Sequence, residues 1–142
     1  MEEIRERTHF SVGEEASLTR VISEADVAAY ARVSGDDNPI HLDDAYAQST
    51  RFGGRIVHGM LIAGLISAVL GGQLPGPGAI YLSQGLRFTA PVRPGEMVTV
   101  HVRVTEWDGT KGRITLLTEV ANQDGIVVVT GEAKLVMSAF LK

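Results

Sequence analysis

Asp36 and His41 are the two side chains best suited to chemistry, and they stand five positions apart in a short polar segment. A carboxylate and an imidazole are the usual groups of general acid–base catalysis. Pro39 disfavours helical backbone in the residue before it, so we expect a stiff loop that can turn both side chains toward one water molecule. An ordinary turn explains the same residue types equally well. Asp37 and Asp43 are further acids nearby, and spacing alone does not rank them against Asp36.

A metal site is another interpretation of the same segment. His41-Leu42-Asp43, together with a distant histidine, resembles the two-histidine, one-carboxylate arrangement that binds iron. His58 and His101 are the plausible third ligands. Short triples of the type His-x-Asp often arise by chance, so we expect no metal and no cofactor.

His58 and Gly59 precede the most apolar stretch of the chain. A glycine lets a ligand approach the backbone closely. The first N–H groups of a helix have no partner within it and favour negative charge, which would suit a developing oxyanion. Taken alone, Gly59 is better explained by close packing of helix against sheet. Ser67 is the only hydroxyl in the stretch, and it either binds a carbonyl of its own helix or faces a ligand.

The first half of the chain is predicted to be mainly helical. Ala16–Ile22 alternates weakly and is predicted as an edge strand. Ser23, with an acid three residues on, is typical of a helix start, and Gly35 of a helix end. A short helix over residues 43–49 follows, and then a long helix from His58 to Leu74. Because the long helix is apolar almost all round, we expect it to be buried on every side.

The second half is predicted to form strands joined by hairpins. Valine alternates with polar residues over 98–104, the pattern repeats over 114–120, and residues 126–136 are rich in valine. Asp108-Gly109 and Asp124-Gly125 separate these runs and are typical of hairpin turns. Helices followed by an antiparallel meander predict an α+β fold, in which one curved sheet wraps around a long central apolar helix.

Composition narrows the function classes. The 142 residues suit one domain, which we expect over 10–142 after a flexible segment over 1–9. The net charge of −4 argues against nucleic-acid binding, and the absence of cysteine excludes thiol catalysis. The charged N-terminus does not resemble a signal peptide, and the longest apolar run is about half the ~20 residues that a membrane span needs. We therefore expect a cytoplasmic protein with no nucleic-acid or membrane partner.

Two stretches of the chain, in this order, read as motifs. They are Ser34-Gly35-Asp36-Asp37-Asn38-Pro39-Ile40-His41-Leu42-Asp43 and Ile56-Val57-His58-Gly59-Met60-Leu61. Both resemble the hallmarks of the MaoC-like dehydratases, and residues 78–82 and 88–96 are further matches. The resemblance runs from about Phe10 to Met137, and the most similar subgroup is the short, single-domain (R)-specific enoyl-CoA hydratases.

The resemblance implies a hot-dog fold and a homodimer, or a multiple of dimers, whose sheets join edge to edge with two sites at the interface. It implies that Asp36 and His41 are the catalytic pair. It also implies that the N–H of Gly59 holds the thioester carbonyl and that Ser67 lies near the substrate. The implied reaction is the reversible hydration of trans-2-enoyl-CoA to (R)-3-hydroxyacyl-CoA, in fatty-acid metabolism or the supply of polyhydroxyalkanoate precursors.

Other functions would fit the same resemblance. A 3-hydroxyacyl dehydratase that acts on acyl carrier protein would use the same residues. A hot-dog thioesterase or a non-catalytic acyl-CoA-binding module would not need both Asp36 and His41. The phosphates of CoA would call for basic residues at the mouth of the site, and four arginines are unranked candidates: Arg51, Arg55, Arg87 and Arg93.

Overall fold

The computed structural model describes residues 2–141, which form one antiparallel sheet and four α-helices. The predicted α+β class is confirmed. In chain order the elements are β1 (Glu15–Val21), α1 (Glu24–Ser34), α2 (Pro39–Leu42), α3 (Asp44–Gln48), α4 (Gly59–Gly72), β2 (Ala79–Phe88), β3 (Met97–Asp108), β4 (Arg113–Asn122), β5 (Val127–Met137) and a 3₁₀ turn (Ser138–Phe140).

The five strands lie in the order β1-β3-β4-β5-β2, and every neighbouring pair is antiparallel. The predicted meander is the run β3-β4-β5, and β1 is an edge strand as expected. Strand β2, which the sequence analysis did not identify, pairs with β5 and forms the opposite edge. The chain therefore crosses the sheet twice, from β1 to β2 through the helices and back from β2 to β3, and each end of the meander has a neighbouring strand.

The core lies between the sheet and α4. Valines at alternate positions of β3, from Val98 to Val104, are at most 1% exposed, and so are Ile66, Val69 and Leu70 of the helix. The expectation that α4 is buried on every side is wrong for the single chain. Met60 is 55% exposed, and the small residues that follow it on the same side of the helix are exposed as well: Gly64, Ser67, Ala68, Gly71 and Gly72.

The start of α1 follows the predicted pattern. The Ser23 hydroxyl accepts a hydrogen bond from the Asp26 N–H at 3.1 Å, and the Asp26 carboxylate accepts one from the Ser23 N–H at 2.9 Å. Gly35 ends the helix in the left-handed region, with φ of 80°. The reciprocal bonds at Ser23 satisfy backbone groups that a helix start leaves free, and Gly35 determines where the following polar segment begins.

The polar segment was predicted to be a loop, and this is wrong for its second half. Pro39 begins the short helix α2. The fixed φ of proline suits the first position of a helix, where its missing N–H is not needed. The Asn38 side chain accepts a hydrogen bond from the Ile40 N–H at 3.2 Å and so caps this turn. As a result His41 lies on a helical turn, and Asp36 lies on the extended backbone before it.

The segment before β1 makes contacts with the rest of the chain. The Glu6 carboxylate accepts a hydrogen bond from the Ala139 N–H at 2.9 Å, and Arg7 pairs with Glu14 at 2.9 Å. Met1 and Lys142, the outer ends of the two predicted segments 1–9 and 10–142, lie outside the described residues. Within residues 2–141, no helix combines the length and the apolar character that crossing a membrane requires.

Candidate active site

A cavity of about 480 Å³ opens where the first residues of α4 meet α2 and the end of β2. Three of the four predicted site residues line it: Asp36, His41 and Gly59. Its other lining residues come from the connection between α3 and α4, from α4 itself and from the segment after β2: Arg51, Phe52, Ile56, Val57, His58, Met60, Ile62 and Phe88 to Val92. The chain thus brings the proposed acid–base residues and the start of the apolar helix to one concave surface.

His41 is buried, with 8% of its surface exposed, and its ring orientation is set by the backbone. Its Nδ1 lies 2.8 Å from the carbonyl oxygen of Ile56. A carbonyl only accepts hydrogen bonds, so Nδ1 carries the proton in the neutral ring and Nε2 keeps its lone pair. His41 can therefore accept a proton at Nε2.

Asp36 is exposed, but its backbone is held on both sides. Its N–H donates to the Ser34 hydroxyl at 3.1 Å, and its carbonyl oxygen lies 3.0 Å from His58 Nε2. One carboxylate oxygen accepts a long hydrogen bond of 3.3 Å from the Asn38 N–H, which leaves the other oxygen available. The Asp36 side chain therefore projects from a backbone whose position is fixed by hydrogen bonds.

Asp36, His41 and His58 form a cluster in which one carboxylate oxygen and one ring nitrogen of each histidine all lie within 4.8 Å of one another. An oxygen atom ~2.8 Å from each of two atoms at that separation can hydrogen-bond both. The separation of Asp36 and His41 is thus compatible with one shared water molecule, which is what general acid–base chemistry on water requires.

The metal site considered from the sequence is not formed. Asp43 caps α3, where its carboxylate accepts a hydrogen bond from the Tyr46 N–H at 2.9 Å, and His101 lies on β3, 3.3 Å from Glu15. The rings of His41 and His58 stack at 3.8 Å with 28° between their planes. A metal ion binds in the plane of an imidazole, ~2.0–2.1 Å from its nitrogen, so one ion cannot lie in the planes of both stacked rings.

Gly59 begins α4 directly beneath an aromatic ring. A Cβ at this position would lie 2.6 Å from Cε1 of Phe88, so no other residue fits without moving the ring. The carbonyl of His58 accepts from the N–H groups of Leu61 and Ile62, and within residues 2–141 no hydrogen bond uses the N–H of Gly59 or Met60. The cavity is thus lined by free N–H groups at the positive end of a helix dipole.

Ser67, the fourth predicted residue, lies outside this cavity. It lines a second, shallower one of about 360 Å³ between α4 and β2, where its neighbours include Gly64 and Leu82. Met60 lines both cavities and separates the acid–base residues from Ser67. Within the described chain the Ser67 hydroxyl makes no hydrogen bond to its own helix or to any other element.

Two of the four candidate arginines hold the protein together instead of facing a ligand. Arg93 donates to the carbonyl oxygen of Gly54 at 2.9 Å and also to that of Phe52, which fixes the connection between α3 and α4. Arg55 donates to the Asp44 carboxylate at 2.7 Å, and this bond is the main cause of a raised pKa for the guanidinium.

The other two arginines are exposed. Arg51 lines the first cavity, with its guanidinium 4.8 Å from the centre of the Phe52 ring. Arg87 lies on the outer strand β2. Of the four candidate arginines, Arg51 is thus the one that lines the cavity together with Asp36 and His41.

His58 is the site residue that sequence analysis underrated, because it was considered only as a metal ligand. It is 2% exposed, and its ring lies between those of His41 and Tyr30. The sequence contained one indication of its role, which is its position immediately before Gly59 at the start of the apolar helix.

Residues 9–125 match the family described as MaoC like domain, which is most of the chain. The chain belongs to the MaoC-like domain family. This MaoC-like domain is 50% identical over 127 residues to an (R)-specific enoyl-CoA hydratase of Rhodospirillum rubrum, covering 89% of this chain and 88% of that one. It is also 50% identical over 122 residues to the enzyme of the same name from Aeromonas caviae, covering 86% and 91% of the two chains.

Among solved structures, the (R)-hydratase from A. caviae involved in PHA biosynthesis resembles this MaoC-like domain with a TM-score of 0.87 and 48% identity, covering 90% of this chain and 97% of that one. The expected hot-dog fold is therefore confirmed. The similarity extends over nearly the full length of both proteins, so the cavity and the helices around it lie within the shared part.

Proposed function

We propose that this protein is an (R)-specific enoyl-CoA hydratase, a hydro-lyase that reversibly adds water to trans-2-enoyl-CoA and yields (R)-3-hydroxyacyl-CoA. The observation that carries the proposal is that Asp36 and His41, whose Nε2 is free, line one cavity. They do so in a chain that is 50% identical to two such hydratases. A hydratase needs a group to take a proton from water and a group to return one, and this pair supplies both.

In the proposed reaction, Asp36 and His41 hold the attacking water. Its oxygen bonds to C3 of the conjugated thioester while one of its protons passes to the pair, with His41 Nε2 as the free acceptor. Electron density moves through the double bond to the thioester oxygen, and the pair then returns a proton to C2. No electrons leave the substrate, so the reaction needs no redox cofactor.

The start of α4 is the proposed site for the thioester oxygen. The N–H of Gly59 makes no hydrogen bond within the described residues, and it lies at the positive end of the helix dipole. Donors placed where negative charge develops commonly contribute ~10²–10³ in rate. Ser67 would then lie farther along the acyl group, because Met60 is between it and the acid–base pair.

A homodimer is the proposed assembly. Strand β2 is an edge of the sheet, and its Ile80 and Leu82 are 41% and 49% exposed, while Met60 of α4 is 55% exposed. An open edge with apolar side chains favours association with another edge. Pairing of two β2 edges across a two-fold axis would cover this surface in both copies. The proposed setting is the cytoplasm, and the proposed product is of the kind used as a polyhydroxyalkanoate precursor.

The first test is incubation of the purified protein with crotonyl-CoA and longer enoyl-CoAs, following loss of the conjugated thioester absorbance. We expect hydration, with the R configuration at C3. In deuterated water, hydroxyl and deuterium should add to the same face, because Asp36 and His41 approach the alkene from one side. Anti addition would refute the shared water molecule.

Other outcomes of the same assay identify the alternatives. Release of free CoA without hydration would indicate a thioesterase, and binding without turnover would indicate an acyl-CoA-binding module. A parallel assay with the acyl-carrier-protein thioester decides the carrier, since the chemistry is the same. Prolonged chelation should leave the rate unchanged, and a chelator-sensitive rate restored by Fe²⁺ would contradict the metal-free mechanism.

A further inference from the structure

His58 connects the parts of the proposed site. Its Nε2 lies 3.0 Å from the carbonyl oxygen of Asp36, and its ring stacks on that of His41 with centroids 3.8 Å apart. The next residue is Gly59, whose N–H is the proposed oxyanion donor. A residue at this junction can affect the acid, the base and the oxyanion donor through its own contacts with them.

The hydrogen bonds determine the protonation of both rings. His58 Nε2 and His41 Nδ1 each face a carbonyl oxygen, which only accepts, so each of these nitrogens carries a proton. Within residues 2–141, His58 Nδ1 is the one buried side-chain nitrogen or oxygen without a hydrogen-bond partner.

The His58 ring is also held by its neighbours. It is 2% exposed, and the rings of His41 and Tyr30 pack against it at centroid distances of 3.8 and 4.7 Å. One edge is bound to the Asp36 carbonyl, so the ring has a fixed orientation between α1, the segment before α2, and α2 itself.

We propose that His58 is a positioning residue of this site, which holds the Asp36 backbone with Nε2–H and packs its ring against the face of His41. This role rests on the proposed hydratase function. The hydrogen bond fixes the backbone from which the Asp36 carboxylate projects, and the stacked ring limits how the His41 imidazole can turn. His58 thereby orients both the acid and the base.

Two substitutions separate the two parts of this role. His58→Phe keeps an aromatic face toward His41 but loses the N–H that binds Asp36. His58→Gln keeps an N–H near the position of Nε2 but loses the aromatic face. His101, an exposed histidine on β3, provides matched controls in His101→Phe and His101→Gln.

Both His58 variants should lower kcat for crotonyl-CoA by roughly 10- to 100-fold, because small displacements of catalytic groups are costly, while KM changes little. In His58→Phe the loss follows from an Asp36 backbone without its hydrogen bond, and in His58→Gln from a His41 ring without its stacking partner. The His101 variants should match the wild type in both kcat and KM.

Wild-type kcat in both His58 variants would show that the residue only packs, and so would a loss confined to thermal stability. If neither variant folds, ¹⁵N NMR of the wild-type histidines decides the question. In the neutral rings it should show the His58 proton on Nε2 and the His41 proton on Nδ1, and a His58 proton on Nδ1 would overturn the proposal. This spectrum does not depend on turnover, so failure of the hydratase assay and failure of the role of His58 are distinguishable.

Discussion

The first turn of helix α4 and the apolar flank of that helix differ in how far other parts of the chain contact them. Around its first turn, two histidine rings are oriented by hydrogen bonds within the chain: His41 binds the Ile56 carbonyl, and His58 binds that of Asp36. The apolar flank, which consists of Met60, Gly64 and Ser67 on α4 with Tyr81 and Leu82 on β2, is covered by no other described residue and is exposed.

This difference follows from the two kinds of interaction. Hydrogen bonds depend on distance and angle, so side chains that move protons must be oriented by partners within the chain. Apolar burial is not directional, so an exposed flank can be covered later by a second copy or by an acyl chain. Tyr81 lies at the boundary between the two regions. It is 39% exposed, its partial burial raises the pKa of the phenol, and the hydroxyl donates to Gln84 at 2.7 Å.

The largest expected effect is at the oriented end. Asp36→Asn and His41→Gln should each lower kcat for crotonyl-CoA hydration by roughly 10²–10⁴, the range for loss of an acid–base group. The double variant should be little worse than either one, because both act on the same water. Asp37→Asn is the matched control and should retain the rate, whereas near-normal activity of Asp36→Asn would remove that residue from the pair.

Gly59 tests whether the start of α4 must remain in place. Gly59→Ala should lower kcat by roughly 10-fold or more and destabilise the protein by up to ~1 kcal/mol, because its Cβ would push aside the Phe88 ring, which is 51% exposed. Denaturant titration measures the stability. Gly59→Ala combined with Phe88→Ala should regain part of it.

The control for this substitution lies at the other end of the helix. A Cβ at Gly71 meets no atom within 4 Å, so Gly71→Ala should be neutral or stabilising, by up to ~1 kcal/mol. Equal destabilisation of the Gly59 and Gly71 variants would contradict the close approach of Phe88.

The apolar flank should respond in assembly. Leu82→Lys places a charge on the open edge of β2, and sedimentation should show the molecular mass falling from dimer to monomer. Val33→Lys changes an 81% exposed valine on α1, and should leave the dimer intact. A wild-type protein that is already a fully active monomer at micromolar concentration would end the dimer proposal.

The smallest effect concerns the cap that precedes the site. Ser23→Ala should cost ~1 kcal/mol of unfolding free energy, the usual value of a helix cap. The hydrogen bond from the Ser23 N–H is the main cause of the lowered pKa of Asp26. The carboxylate therefore stabilises the fold at neutral pH, and this contribution is lost as the pH falls below the ordinary value of 3.8 and through the lowered one.

Thermal scans of Asp26→Asn beside the wild type measure that contribution. The difference between their melting temperatures should be present at pH 7 and should shrink toward pH 3. A difference that does not depend on pH would mean that the Asp26 carboxylate contributes nothing as an anion.

The sequence alone predicted the elements that depend on neighbours along the chain. The Ser23 cap, the Gly35 stop and the alternation from Val98 to Val104 all depend on contacts or periods of a few residues, and the structure has each of them. The pairing of an acid with a base near Pro39 was recognised for the same reason, since both residues lie in one short segment.

The tertiary structure decided which of those residues meet. Spacing did not distinguish Asp43 from Asp36, but in the structure Asp43 caps α3. In the same way, the sequence did not rank Arg55 and Arg93 against Arg51, but both bind groups of the protein itself. His58 contacts Asp36 across 22 positions, and no local pattern encodes such a contact. The contact exists because packing of α4 on the sheet brings the start of that helix to the end of α1. Only the folded chain could therefore favour Asp36 over Asp43 as the proposed acid and Arg51 over Arg55 and Arg93 as the cation at the cavity. Only the folded chain could show that one side of α4 is uncovered.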